Sequence, residues 1–324
     1  MPTNEVVIFP EAKRVELDQR PMPTPDPGEA LIETDRTLVS TGSELALLDG
    51  SHQPDNLPGD GFPIEPGYSN VGTVIDVGEA VDEDLVGRRV VSRTIHARYV
   101  TADASAIVPV PSDIPSVSGT FSQIAAIAMN AVRRGELAWG ESAAVRGLGL
   151  VGQLAIRTCL VSGAAPVYGL DLDSDRLGAV PDHGRVEPVH VGAEDGPEPA
   201  DSVADVVVDA TGNPETLGGG VSLIKEDGRF VVVGCPRRTV EFDFYRDCIV
   251  PSARIIGSYR IPAGGQGRWD RQAYAELFFE YLQTGDMDVE SLVTAEPQAS
   301  DAPAVFEALL ENPTGELGVV FDWE

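Results

Sequence analysis

Apolar positions fall into three patterns along the chain. Over residues 1–112 they come in short alternating runs separated by Pro and Gly, as in Ala30-Leu31-Ile32-Glu33-Thr34 and Val71-Gly72-Thr73-Val74-Ile75-Asp76-Val77. Period-two alternation between turn residues predicts a small β-rich domain. Residues 113–261 switch to strand-like runs alternating with helix-like stretches. Strands are expected at 143–145, 167–170, 206–208 and 230–233, with a helix over 151–162. That alternation predicts a parallel sheet covered by helices on both faces, an α/β doubly wound domain of the Rossmann type. Residues 262–324 predict two helices, over 271–284 and 301–311, and a last strand over 317–321. No internal repeat or low-complexity linker interrupts the chain.

The strongest local motif is Gly147-Leu148-Gly149-Leu150-Val151-Gly152. A strand precedes it, a helix follows, and Asp171 lies 19 residues beyond its last glycine at the end of the next strand. In that setting G-x-G-x-x-G is a dinucleotide fingerprint. Gly147 permits the turn, Gly149 lets backbone N–H groups approach a pyrophosphate, and Gly152 lets the helix pack on the sheet. The helix N-terminus favours the phosphate charge. Asp171 accepts hydrogen bonds from the ribose hydroxyls and repels a 2′-phosphate, so NAD is expected rather than NADP. Thr211, Gly212, Gly234 and Cys235 follow later strands and are candidate cofactor-lining residues; ordinary strand-to-loop punctuation explains them as well.

Composition narrows the partners. The chain has 324 residues, 52 acidic against 23 basic, and a net charge of -29. Lys13 and Lys225 are its only lysines. Nucleic acid and anionic membranes are excluded as partners, because both need clustered cations. Dense carboxylates with little lysine predict a halophilic protein, soluble in concentrated salt that screens its self-repulsion. No apolar run is long enough to span a membrane and the first residues carry no secretory pattern, so a cytoplasmic location is expected. Cys159, Cys235 and Cys248 show no paired spacing, against a disulfide framework or a cysteine-rich zinc site.

The order of these parts resembles the medium-chain dehydrogenase/reductase superfamily, the zinc alcohol dehydrogenase fold. The likeness runs nearly end to end, through Pro66-Gly67-Tyr68-Ser69-Asn70-Val71-Gly72, the loop Gly147 to Gly152, Asp171 with Arg176, and the tail from Leu292. It implies a GroES-like catalytic domain over 1–112, to which 262–324 return, and a Rossmann domain over 113–261. Within the superfamily the chain looks most similar to the bacteriochlorophyllide a dehydrogenase group, through Ser40-Thr41-Gly42-Ser43-Glu44, the stretch 61–69, Asp209-Ala210-Thr211-Gly212-Asn213 and Val320-Phe321-Asp322-Trp323. The pigment substrate of that group is not carried over. The resemblance implies Asp171 and Arg176 as the ribose-binding pair. It also implies a homodimer built on an edge strand near 253–259.

Departures from the superfamily shape the expected chemistry. Its zinc ligands are matched here by Thr41, Tyr68, Ser69 and Gln123, and its structural zinc lobe is missing between Ser92 and Ala97. No metal is therefore expected; His52 and His96 are the lone histidines that could join acids elsewhere. Without zinc, hydroxyls must meet the substrate oxygen. Ser43 and Tyr68 are the candidates, with Thr41 beside them and Glu44 or Asn130 orienting them; the alternative for Tyr68 is an aromatic plug. The expected activity is zinc-independent, NAD(H)-linked hydride transfer to or from an alcohol or ketone. The alternatives are an NADPH-dependent enoyl or quinone reductase and a nucleotide-binding protein without catalysis. The glycine-rich stretch 259–270, with Arg260 and Arg268, is a candidate flap over a small-molecule substrate.

Overall fold

The computed structural model describes residues 3–51, 61–192, 202–261 and 268–324. The chain divides into two compact units, Met1–Gln123 with Pro262–Glu324, and Ile124–Ile261. His52 and residues 262–267 of the candidate flap lie outside the described residues.

The first unit opens on a hairpin, β1 (Thr3–Glu11) and β2 (Arg14–Pro21). After it come β3 (Glu29–Leu38), α1 (Thr41–Leu48), β4 (Asn70–Val77), β5 (Arg89–Ser92), β6 (Tyr99–Asp103) and β7 (Val108–Pro109), then a turn of helix, α2 (Ser116–Gly119). Helix α3 (Ser122–Arg134) leads into the second unit, with β8 (Ala143–Arg146), α4 (Leu150–Val161), β9 (Val167–Asp171), α5 (Ser174–Gly178), β10 (Val186–His190), β11 (Ala204–Asp209), α6 (Pro214–Val221), β12 (Ile224–Val232) and β13 (Arg254–Gly257). The C-terminal part supplies α7 (Arg271–Thr284), β14 (Val293–Ala295), α8 (Ala302–Glu311) and β15 (Gly318–Asp322) to the first unit.

In the first unit the sheet order is β14-β15-β3-β4-β5-β7, with β6 also on β3. The tail is stitched in by β15, which pairs antiparallel with β3 through Val320 and Leu38. Its Trp323 ring nitrogen donates to the Thr37 hydroxyl at 3.0 Å. Phe9, Leu48, Phe306, Phe321 and Trp323 fill one core; Ile32, Val74, Val90 and Val100 fill another. These are the inward positions of the alternating runs.

The second unit holds six parallel strands in the order β10-β9-β8-β11-β12-β13. Counted from β8 this is 3-2-1-4-5-6, with the order reversing between β8 and β11, the switch point where such sheets take their ligands. Strands buried on both faces explain the unbroken apolar runs Ala143-Ala144-Val145 and Val206-Val207-Val208.

Residues 113–123, assigned by pattern to the α/β part, pack on the first unit instead. The Arg89 guanidinium donates to the Ile114 carbonyl at 2.5 Å, and the Ser116 hydroxyl donates to Asp35 at 3.1 Å. Burial raises the Asp35 carboxyl above the usual carboxylate range, against the opposing Ser116 bond.

Candidate active site

In the second unit, Gly147 directly follows β8 at φ +79, a conformation that disfavours any side chain. A Cβ there would lie 2.9 Å from the Thr211 nitrogen. At Gly152 a Cβ would stand 1.9 Å from the Gly147 carbonyl oxygen, so α4 can sit this close to the loop only with glycine. Gly149 differs. It caps α4 without a side-chain bond, and a Cβ there would meet nothing within 4 Å. The protein leaves that space open beside the unpaired N–H groups of the first helical turn. This is a cradle suited to phosphate.

Asp171 ends β9 and is fixed from two sides. One carboxylate oxygen accepts from the Leu148 N–H at 2.6 Å, the other from Asp173 N–H at 2.9 Å. A carboxylate with two such bonds still has acceptor capacity. Arg176 lies on α5, where its carbonyl accepts from the Gln153 amide at 2.7 Å, tying α5 to α4. The side chains of Leu148 and Leu150 are buried and Val151 half-buried. Leu148 and Leu150 can therefore meet a ligand through backbone alone, and the Leu148 amide is already bonded to Asp171.

Thr211, Gly212, Gly234 and Cys235 come together at the ends of β11 and β12. A Cβ on Gly234 would lie 2.3 Å from the Gly212 nitrogen, and Cys235 is exposed beside them. The Thr211 hydroxyl donates to Asp209 at 2.7 Å. The fully buried Asp209 carboxylate also pairs with Arg146 at 2.7 Å. This buried pair links the two loops that flank the switch point. The signal for it was a charge ending each of the two parallel strands β8 and β11.

In the first unit a closed circuit of contacts surrounds Tyr68. Glu44, on α1 and 1% exposed, accepts from the Ser40 N–H at 2.8 Å. Its other oxygen meets His96 Nε2 at 2.9 Å. His96 is fully buried, packs edge-on against Phe321, and has no partner at Nδ1. The proton that completes the bond therefore sits on Nε2, donated to Glu44. The His96 N–H donates to the Pro66 carbonyl at 2.9 Å. Gly67, at φ +105, must be glycine because a Cβ would stand 2.6 Å from the His96 nitrogen. Next in the chain, the Tyr68 hydroxyl donates to Ser40 Oγ at 2.5 Å, closing the ring. Burial raises the Tyr68 phenol above the ordinary tyrosine range; the Ser40 bond opposes this, Glu44 adds to it, and the Ser43 hydroxyl also opposes.

Of the candidates for catalysis, Ser43, Glu44 and Tyr68 are thus brought together, with Thr41 half-buried on the same helical turn. Asn130 belongs to the other unit, where its amide donates to Ser258 at 3.0 Å.

The pattern of the zinc-binding dehydrogenases matches residues 151–277. The chain is 26% identical over 257 residues to (R,R)-butanediol dehydrogenase of Bacillus subtilis, covering 69% of each protein. It is 25% identical over 340 residues to 2-desacetyl-2-hydroxyethyl bacteriochlorophyllide A dehydrogenase of Rhodobacter capsulatus, covering 99% of this chain and 98% of that one. A crystal structure of a zinc-binding dehydrogenase from Sinorhizobium meliloti bound to NADP superposes with a TM-score of 0.84 at 20% identity, over all of both chains. The fold is that of the medium-chain dehydrogenases/reductases. The chemistry it shares with these relatives is that of an oxidoreductase.

Medium-chain dehydrogenases hold catalytic zinc with three ligands drawn from Cys, His, Asp and Glu. The matched positions here offer two hydroxyls, a phenol and an amide. Ser69 Oγ is buried without a partner, and the Gln123 carbonyl oxygen accepts from Arg271 at 3.4 Å. The nearby imidazole and carboxylate, His96 and Glu44, bind each other. Among the described residues no group of three or more His, Cys, Asp or Glu could hold a metal. Among them, too, no helix is long and apolar enough to cross a membrane.

Proposed function

We propose that this chain is a zinc-independent, NAD(H)-dependent oxidoreductase that exchanges a hydride with a small alcohol or ketone. One observation carries the reading: the Tyr68 phenol is hydrogen-bonded to Ser40 and lies beside Ser43, at a position that the resemblance matches to a zinc ligand. Bound NAD(H) supplies or takes the hydride. With substrate bound, the Tyr68 O–H turns from Ser40 Oγ to the substrate carbonyl, Ser40 donating to Tyr68 Oη in its place, and gives up its proton as charge gathers on that oxygen. Ser43 provides a second hydroxyl. A phenol whose ionisation is raised keeps its proton at neutral pH, which favours carbonyl reduction over alcohol oxidation. The Gly147–Gly152 loop holds the pyrophosphate, with Thr211, Gly212, Gly234 and Cys235 along the same edge. Asp171 takes the ribose hydroxyls, Arg176 stands beside it, and the carboxylate charge selects NAD over NADP.

The same reading makes the protein a halophilic, cytoplasmic homodimer. The edge strand β13 exposes Ile255, and Phe244, Tyr245, Ile249, Val250 and Tyr259 are exposed as well. Unpaired edges and apolar surface of this kind call for a partner. Protein dialysed against chelator in molar potassium chloride is expected to keep reducing a ketone panel with NADH and to scatter light as a dimer. Activity lost on chelation and restored by zinc refutes the mechanism; a monomer refutes the assembly.

A further inference from the structure

Arg93 follows β5 and is exposed, yet the described structure gives it neither a hydrogen bond nor an ion pair. By contrast Arg14, Arg20, Arg36, Arg98, Arg146, Arg229 and Arg254 each pair with a carboxylate. Its guanidinium instead lies over the Tyr68 ring, 5.7 Å from the centroid. Stacking on an aromatic face fixes the planar group while leaving its N–H donors free around the edge. Those donors belong to the side chain packed on the phenol that hydrogen-bonds Ser40.

We propose that Arg93 is a specificity-determining residue: it binds an anionic oxygen group, carboxylate or phosphate, carried near the reacting carbon of the substrate. A guanidinium forks onto either group through two parallel hydrogen bonds. A neutral alcohol or ketone would leave the arginine without a partner. An anion approaching a chain of net charge -29 needs a local cation to hold it. This inference rests on the reading of Tyr68 as the group that meets the substrate oxygen.

The test measures NADH-linked reduction of two matched pairs in molar potassium chloride: pyruvate against hydroxyacetone, and dihydroxyacetone phosphate against dihydroxyacetone. At least one anionic member is expected to exceed its neutral partner about 10-fold or more in kcat/KM. Arg93→Ala should reduce that ratio at least about 10-fold, mainly through KM, and Arg93→Lys should restore part of it. The pair that shows the preference identifies carboxylate or phosphate. A preference for the neutral members, or a ratio unchanged in Arg93→Ala, overturns the assignment while the oxidoreductase reading stands. A protein that binds no NADH and reduces neither class overturns both.

Discussion

Gly152→Ala is expected to raise the dissociation constant for NADH at least about 100-fold. The new Cβ would stand 1.9 Å from a backbone oxygen, that of Gly147, and only movement of α4 or the loop relieves the clash. Either movement pulls Leu148 from its 2.6 Å bond to Asp171, so the phosphate cradle and the ribose acceptor lose their alignment together. Overpacking of this kind costs about 1–3 kcal/mol of stability, which a domain of this size can tolerate. A 100-fold loss corresponds to about 2.7 kcal/mol of binding. Gly149→Ala separates binding from folding, because its Cβ meets nothing within 4 Å. That variant should melt like the parent and still bind NADH more weakly. Fluorescence titration beside thermal unfolding reads both, and NADH affinity within about threefold of the parent in both variants removes the loop from the binding site.

Tyr68→Phe is expected to lower kcat for ketone reduction by about 10²–10³, the usual effect of removing one hydrogen-bond donor to a developing oxyanion. The ring stays, so its packing is preserved, and NADH affinity should change less than twofold. The parent's rate should hold through neutral pH and fall only above about 10, where an ordinary tyrosine ionises, because burial and Glu44 push this phenol higher. Equal turnover in Tyr68→Phe would make Tyr68 an aromatic plug and move the chemistry to Ser43 and Thr41.

The strand–loop–helix around the glycine motif was legible because its determinants are local. Gly147 to Gly152 and Asp171 lie in consecutive elements, and Gly152 answers to a contact with Gly147 inside the same strand–loop–helix unit. The support beneath Tyr68 was not. Glu44 and His96 are separated by 52 positions, and no spacing rule singles out one histidine in a loop. What gives the pair away is burial: an imidazole and a carboxylate at 0% and 1% exposure must satisfy one another. Residues 113–123 pack on the first unit through Arg89 and Asp35, which lie on distant strands that no local pattern points to. Asn130 carried a plausible role by position, yet its amide hydrogen-bonds Ser258 in its own unit.

The most direct test of the account is a titration of one metal-analysed sample with NADH and with NADPH in molar potassium chloride, read by nucleotide fluorescence. The account predicts NADH binding at least about 10-fold tighter than NADPH, to protein with far less than one zinc per chain. NADPH binding as tight or tighter would contradict the role given to Asp171, and stoichiometric zinc would contradict the chemistry given to Tyr68.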